Sequence, residues 1–324
     1  MNSLLDPAIL FFVFGLAAGL TRSNLEIPPQ ISRFLSLYLL MALGLKGGFA
    51  LAQSGFTLQV TTSLGVAVAL AVIVPLLGYW VLRRVLNGFD AAAVAATYGS
   101  VSAVTFITAV HHLDNLGIEF GGHMPAAMAL MESPAIILAV FLANWVRSKS
   151  AATTPSNAAP QPPLSKVLHE ALTDGAQLLL LGAMLVGFIS GEAGRAAMQP
   201  FSADIFKGML AFFLLDMGLL AARNLSGLRG RSPWLLAYAV LGPLIHAALA
   251  LGLCAALGIP AGDTALLMAL AASASYIAVP AVVRQAIPEA QPALYFGLSL
   301  GITFPLNILL GIALYTQVAL WVLG

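Results

Sequence analysis

A chain of 324 residues that is 60% hydrophobic and 8% charged, with a mean hydropathy of +0.95, cannot hide its apolar surface in a water-soluble fold and needs lipid as its solvent. Its 14 basic and 13 acidic residues leave a net charge of +1, which gives no support to a nucleic-acid partner. A single cysteine, Cys254, excludes a disulfide framework and a thiolate metal site.

The apolar runs are continuous rather than alternating, so the spanning elements are helices and the expected fold is an all-α polytopic membrane protein. Five spans fall at residues 4–20, 31–52, 58–82, 91–110 and 125–146. Five more fall at 176–189, 203–222, 233–257, 264–283 and 292–320. A helix needs about 20 residues to cross the hydrocarbon layer, so spans one and six are short and are tilted less or shielded by protein. The first span has no basic residue before it and Arg22 after it, the reverse of a secretory signal, and reads as retained.

Cytoplasmic loops retain Lys and Arg. With the N-terminus outside, the inner loops collect Arg22, Arg33, Arg83, Arg84, Arg147, Lys149, Lys166, Arg223, Arg229, Arg231 and Arg284, against Arg195 and Lys207 outside. Both termini are therefore expected outside. Five spans per half is an odd number, so the second half enters from the opposite side and the repeats are inverted. The domain reading is a first five-helix repeat at 1–147, a Pro-rich cytoplasmic linker at 148–170 and a second repeat at 171–324. Pro155, Pro160, Pro162 and Pro163 give the linker the composition of a tether.

A motif occurs in both halves. Asp90 is followed ten residues later by Ser100, Val101 and Ser102, and Asp263 by Ser273, Ala274 and Ser275, with an offset of 173 residues for each pair. Repeat transporters bind substrate at the repeat interface, on discontinuous helices whose exposed amides and positive dipole ends hold an anion. Gly99 and Pro280 weaken the helical ladder near these points. Serine hydroxyls both donate and accept, which suits an oxyanion carrying its own O–H. The same Ser, Ala and Gly residues also serve close helix packing, so that reading stays open. Asp90 and Asp263 each begin a span and read as N-caps.

Lys46, Glu132 and Asp216 are ionisable residues inside spans, where charge is costly and usually functional. Lys46 and Asp216 match at an offset of 170, but inversion puts them on opposite sides of the membrane. With each about 10 Å from its own helix end in a core of about 30 Å, no direct salt bridge is expected. Glu132, two residues before Pro134, offers hard oxygen ligands to a cation such as Na⁺, or a titrating group, or a carboxylate satisfied by a neighbouring helix. Thr105, on the same span as the first motif, is a further coupling candidate. His111, His112, Asp114, Glu119 and His123 read as solvated residues of an outer loop.

Residues 39–49, 98–102, 131–135, 271–275 and 286–311 together resemble the sodium-dependent bicarbonate transporter family of bacteria and cyanobacteria. The resemblance implies a ten-helix inverted repeat, a core domain that moves against a gate domain, a trimer, bicarbonate uptake coupled to Na⁺, and regulation by a cytoplasmic PII-like protein. The family's second motif runs Ser-Ser-Ser-Asp, whereas this chain has Ser273, Ala274, Ser275 and Tyr276, so a phenol replaces an acid that could hold a cation. After Ser102 the chain has Ala103 and Val104 where the family has Gly-Ser.

The reading is a bacterial inner-membrane secondary transporter carrying a small anion inward by an elevator-type movement. Gly99, Ser100, Val101, Ser102, Ser273, Ala274, Ser275 and Tyr276 form the substrate site, and Glu132, Thr105 and Asp216 couple the ion. Na⁺ is the expected coupling ion, with no other cofactor. A proton- or sodium-coupled carrier of another small monocarboxylate or solute, and a non-transporting membrane sensor, are the alternatives. An intramembrane enzyme would need a nucleophile–base pair, and His246 is the only histidine at such depth.

Overall fold

The computed structural model describes residues 5–55, 57–151, 173, 175–225, 228 and 230–324. Among these, the chain is helical with no strand. It forms α1 (Pro7–Leu20), α2 (Pro29–Ser54), α3 (Leu58–Leu82), α4 (Gly88–Gly99), α5 (Ala103–Leu116) and α6 (Met124–Ala151). There follow α7 (Gly175–Gln199), α8 (Phe206–Leu225), α9 (Pro233–Leu257), α10 (Ala261–Ala271), α11 (Ala278–Ala286) and α12 (Pro292–Leu323). Among the described residues, six stretches are long and apolar enough to cross a membrane, while α1 and α10 are shorter apolar helices. Most of the Pro-rich linker lies outside the described residues, and α6 extends to Ala151, past the expected linker start.

Local chemistry sets where helices begin. Pro occupies the first position of α1, α2, α9 and α12, where its missing N–H would have no helical partner anyway. Asp6 accepts the Ala8 amide at 2.8 Å to start α1, and Asn87 accepts the Phe89 and Asp90 amides at 3.0 and 2.9 Å to start α4. In α7, Gly191 at φ +53° breaks the helix, so the straight part ends close to the predicted end of span six. In α12, two wider π turns at Gly297–Thr303 and Asn307–Gly311 flank Pro305, which has no N–H to give the ladder.

Two helix packages result. In the first, α1 lies along α8 and α2 along α7. Both crossings run through glycine: a Cβ on Gly15 would sit 2.2 Å from the Leu215 carbonyl oxygen, and one on Gly48 would sit 2.1 Å from that of Met184. The partners answer in kind, with Gly218 against Phe12 and Gly187 against Leu45. Lipid supplies no hydrophobic drive between helices, so close backbone approach and dispersion hold these pairs. In the second package α3 packs on α4, α6 and α9, and α10 packs on α9, α12 and α5.

Predicted spans four and nine are each two helices separated by non-helical backbone, at 100–102 and 272–277. Residues Asp90 to Gly99 of α4 and Gly262 to Ala271 of α10 are all buried. Broken backbone survives at membrane depth only where protein surrounds it. Pro280 is not at a break: it is the third residue of α11, where no ladder bond is lost. His111, His112 and Asp114 lie on the last turns of α5 rather than in a loop.

Asp90 and Asp263 are not N-caps. Each is the third residue of its helix, and each reaches into the other half of the chain. Asp90 accepts the Gln291 amide at 2.7 Å, just before α12, and Asn87 Nδ2 at 2.7 Å. Asp263 accepts the Gly121 amide at 2.6 Å, just before α6, and Gln59 Nε2 at 3.0 Å.

Candidate functional site

The two breaks are stitched to one another. Ser102 donates its amide to the Ser273 hydroxyl at 2.9 Å, and Ser275 donates its amide to the Thr97 carbonyl at 2.8 Å. Ser273 in turn donates to the Leu270 carbonyl at 2.8 Å, closing the end of α10. Asn307 gives its amide to the Ala272 carbonyl at 2.8 Å and is held by the Tyr315 hydroxyl at 2.9 Å. Buried backbone groups that leave a helix need such partners, and these side chains supply them.

Beside the stitches lies a cavity of about 70 Å³. The residues leading into α5 and into α11 line it, namely Val101, Ser102, Ser275 and Tyr276, with Glu132 from α6 and Gln177 from α7. Two helix N-termini therefore meet at one small space, and their dipoles favour negative charge there. Ser102 caps α5 by accepting the Thr105 amide at 3.2 Å, and Ser275 accepts the Val279 amide at 3.3 Å. Tyr276 stands edge-on to Phe304 with ring centroids 5.2 Å apart, and its hydroxyl points to Met217 Sδ at 3.7 Å. Glu132 accepts Gln177 Nε2 at 2.7 Å.

The other predicted site residues take different places. Ser273 is wholly buried in the stitch and does not line the cavity. Ser100 is buried with its hydroxyl unbonded among the described residues, as is the Thr105 hydroxyl. Gly99 ends α4 where a Cβ would lie 2.5 Å from the Pro75 ring, so its smallness admits α3. Ala274 packs with Val279 and Ala286 in the apolar core. Asp216 is half-buried on α8, off the cavity. Lys46 pairs with Asp114 at 3.4 Å and not with Asp216. Cys254 is free and buried.

Gln177 and Ser36 line the cavity without having been picked out from the sequence. Asn307 carried a usable signal, a side-chain amide in the middle of an apolar span.

Sheathed broken helices, with two helix N-termini at a small, largely apolar cavity that holds a few polar side chains, fit a multi-pass helical membrane protein of the solute-carrying class. The family model of the Na⁺-dependent bicarbonate transporter superfamily matches residues 7–320, and the chain belongs to that superfamily. It is accordingly a transporter and not an enzyme. A comparison with curated proteins finds no match.

Proposed function

We propose that this protein takes up bicarbonate across a bacterial inner membrane together with Na⁺, holding the anion between Ser102 and Ser275. The observation that carries the reading is the shared cavity of about 70 Å³, to which each half contributes one helix N-terminus and one serine hydroxyl. That space suits a solute of a few heavy atoms. Bicarbonate can accept from both hydroxyls and donate its own proton.

Glu132 on the same cavity supplies the reason for coupling. Two like charges about 6 Å apart at an effective dielectric of about 20 repel by roughly 3 kcal/mol, so an anion entering beside a carboxylate is favoured when a cation accompanies it. Glu132 with the hydroxyls nearby offers oxygen ligands to Na⁺. Thr105 and Ser100, whose hydroxyls are buried and unbonded among the described residues but do not line the cavity, are the further candidates for coupling.

Ten spans in two inverted five-helix repeats account for the order of the elements. The reciprocal crossings of α1 on α8 and α2 on α7 support that arrangement, as do the reciprocal reaches of Asp90 to Gln291 and Asp263 to Gly121. The cavity lies on the seam between the two helix packages, with Ser36, Leu40 and Leu180 on one wall and both breaks on the other. Sliding of one package along the other, with both termini outside, would carry the site across the membrane as an elevator does. A homotrimer and a PII-like cytoplasmic regulator belong to the same proposal.

The test is uptake of labelled bicarbonate into proteoliposomes with and without an inward Na⁺ gradient. The Na⁺ gradient should raise uptake in the parent, and Glu132→Gln should remove that dependence. Uptake indifferent to Na⁺ but driven by a pH gradient would favour a proton-coupled carrier, and no flux of any small anion would favour a sensor.

A further inference from the structure

A second and larger cavity, of about 380 Å³, shares no lining residue with the first. Its walls come from the start of α1, the start of α8, the last turns of α5 and the middle of α12. It therefore lies on the seam between the two packages, as the smaller cavity does, and its size falls within the roughly 300–1,000 Å³ of small-molecule sites.

The charges around it are unevenly satisfied. Asp6 is fully engaged: Oδ1 accepts the Ala8 amide at 2.8 Å, while Oδ2 accepts Asn115 Nδ2 at 2.8 Å and lies 3.2 Å from His111 Nε2. Lys207 is not. Its ammonium donates to the neutral Asn115 Oδ1 at 3.0 Å and, among the described residues, has no carboxylate within ion-pair distance. An ammonium has three donors, so two remain for a ligand. His112 also lines the space, half-buried and without a hydrogen bond among the described residues. The remaining wall is largely aliphatic, with Ile9, Ala211, Ile308 and Ile312 all buried.

We propose that this cavity binds a monocarboxylate with an aliphatic tail, its head on Lys207 and His112 and its tail along Ile9, Ile308 and Ile312. Lys207 is the ammonium lining the cavity, and with the Asp6 carboxylate also in the wall the space suits a single negative charge better than a phosphate dianion. A ligand cation finds no free carboxylate there, because Asp6 is already engaged, and the described residues form no cluster of His, Cys, Asp and Glu suited to a metal ion. Because its walls belong to both packages, an occupant ties them together and slows transport. That effect rests on the function proposed above; the binding does not.

The experiment uses the full chain in nanodiscs and follows pentanoate by ligand-observed NMR, with pentylamine as the charge-reversed control. Saturable pentanoate binding is expected, weakened about tenfold by Lys207→Gln through loss of one charge-assisted contact. Ile312→Trp, which fills the aliphatic end, should also weaken it, and Ser102→Ala should leave it unchanged even if bicarbonate transport fails. Decanoate that displaces pentanoate would identify an acid released from lipid as the natural source. Pentanoate left in place by decanoate would identify a free acid from the medium. No saturable binding of either acid, equal binding of pentylamine, or binding indifferent to Lys207→Gln would overturn the proposal.

Discussion

The Ser273 hydroxyl accepts the Ser102 amide at 2.9 Å while donating to the Leu270 carbonyl at 2.8 Å, so one side chain closes α10 and anchors the gap before α5. Ser273→Ala leaves a buried amide without its acceptor, at a cost of about 1–3 kcal/mol. Thermal unfolding in detergent should show that loss. Ser275→Ala removes only a long bond to the Val279 amide at 3.3 Å and should cost less than about 1 kcal/mol in the same assay.

Asp263 holds the residues before α6 through the Gly121 amide and Gln59. Asp263→Ala leaves the half-buried Gly121 amide without its acceptor and frees the exposed Gln59 side chain to water, and should destabilise the protein by about 1–3 kcal/mol. The same replacement at Asp90, which holds Gln291, should cost a similar amount. Indifference at either position in unfolding experiments would count against the reciprocal anchoring of the two halves.

His123 lies outside the spans, 3.5 Å from Asp263. Burial pushes its imidazole below the ordinary value, and the Asp263 carboxylate opposes that only partly. The unfolded chain then binds a proton that the folded one does not, so stability falls as pH drops from about 6.5 toward the lowered value. His123→Gln should flatten this part of the melting-temperature profile. A steeper profile in the variant would show that protonation of His123 stabilises the fold.

Gly48 faces the Met184 carbonyl with no room for a methyl group, whereas Gly182, also on α7, has open space around it. Gly48→Ala should force α2 from α7 and cost about 1–3 kcal/mol. Gly182→Ala should be neutral or gain up to about 1 kcal/mol, since Ala is the better helix former. Comparison of the two melting temperatures separates crowding from propensity.

The apolar runs, the paired serine motifs and the need for interrupted helices were all legible in the sequence, because each is written in local composition or in a fixed offset. What stayed hidden is the long-range pairing. Asp90 and Asp263 looked like caps since capping is read from a few neighbours, yet their partners lie 201 and 142 residues away. Four serines looked equivalent, and only the fold separates Ser102 and Ser275, on the cavity, from Ser273 in the stitch and Ser100 beside it. Gln177 sits at the edge of a span, where a polar residue is unremarkable until α7 brings it to Glu132.

The central claim is that one anion is held jointly by Ser102 and Ser275. Initial rates of labelled bicarbonate uptake into proteoliposomes, compared for the parent, Ser102→Ala, Ser275→Ala and the double variant, test it most directly. Each single change should slow uptake about tenfold, and the double should fall well short of the product of the two, because groups sharing a ligand are not additive. Rates within about twofold of the parent in all three well-folded variants would contradict the account.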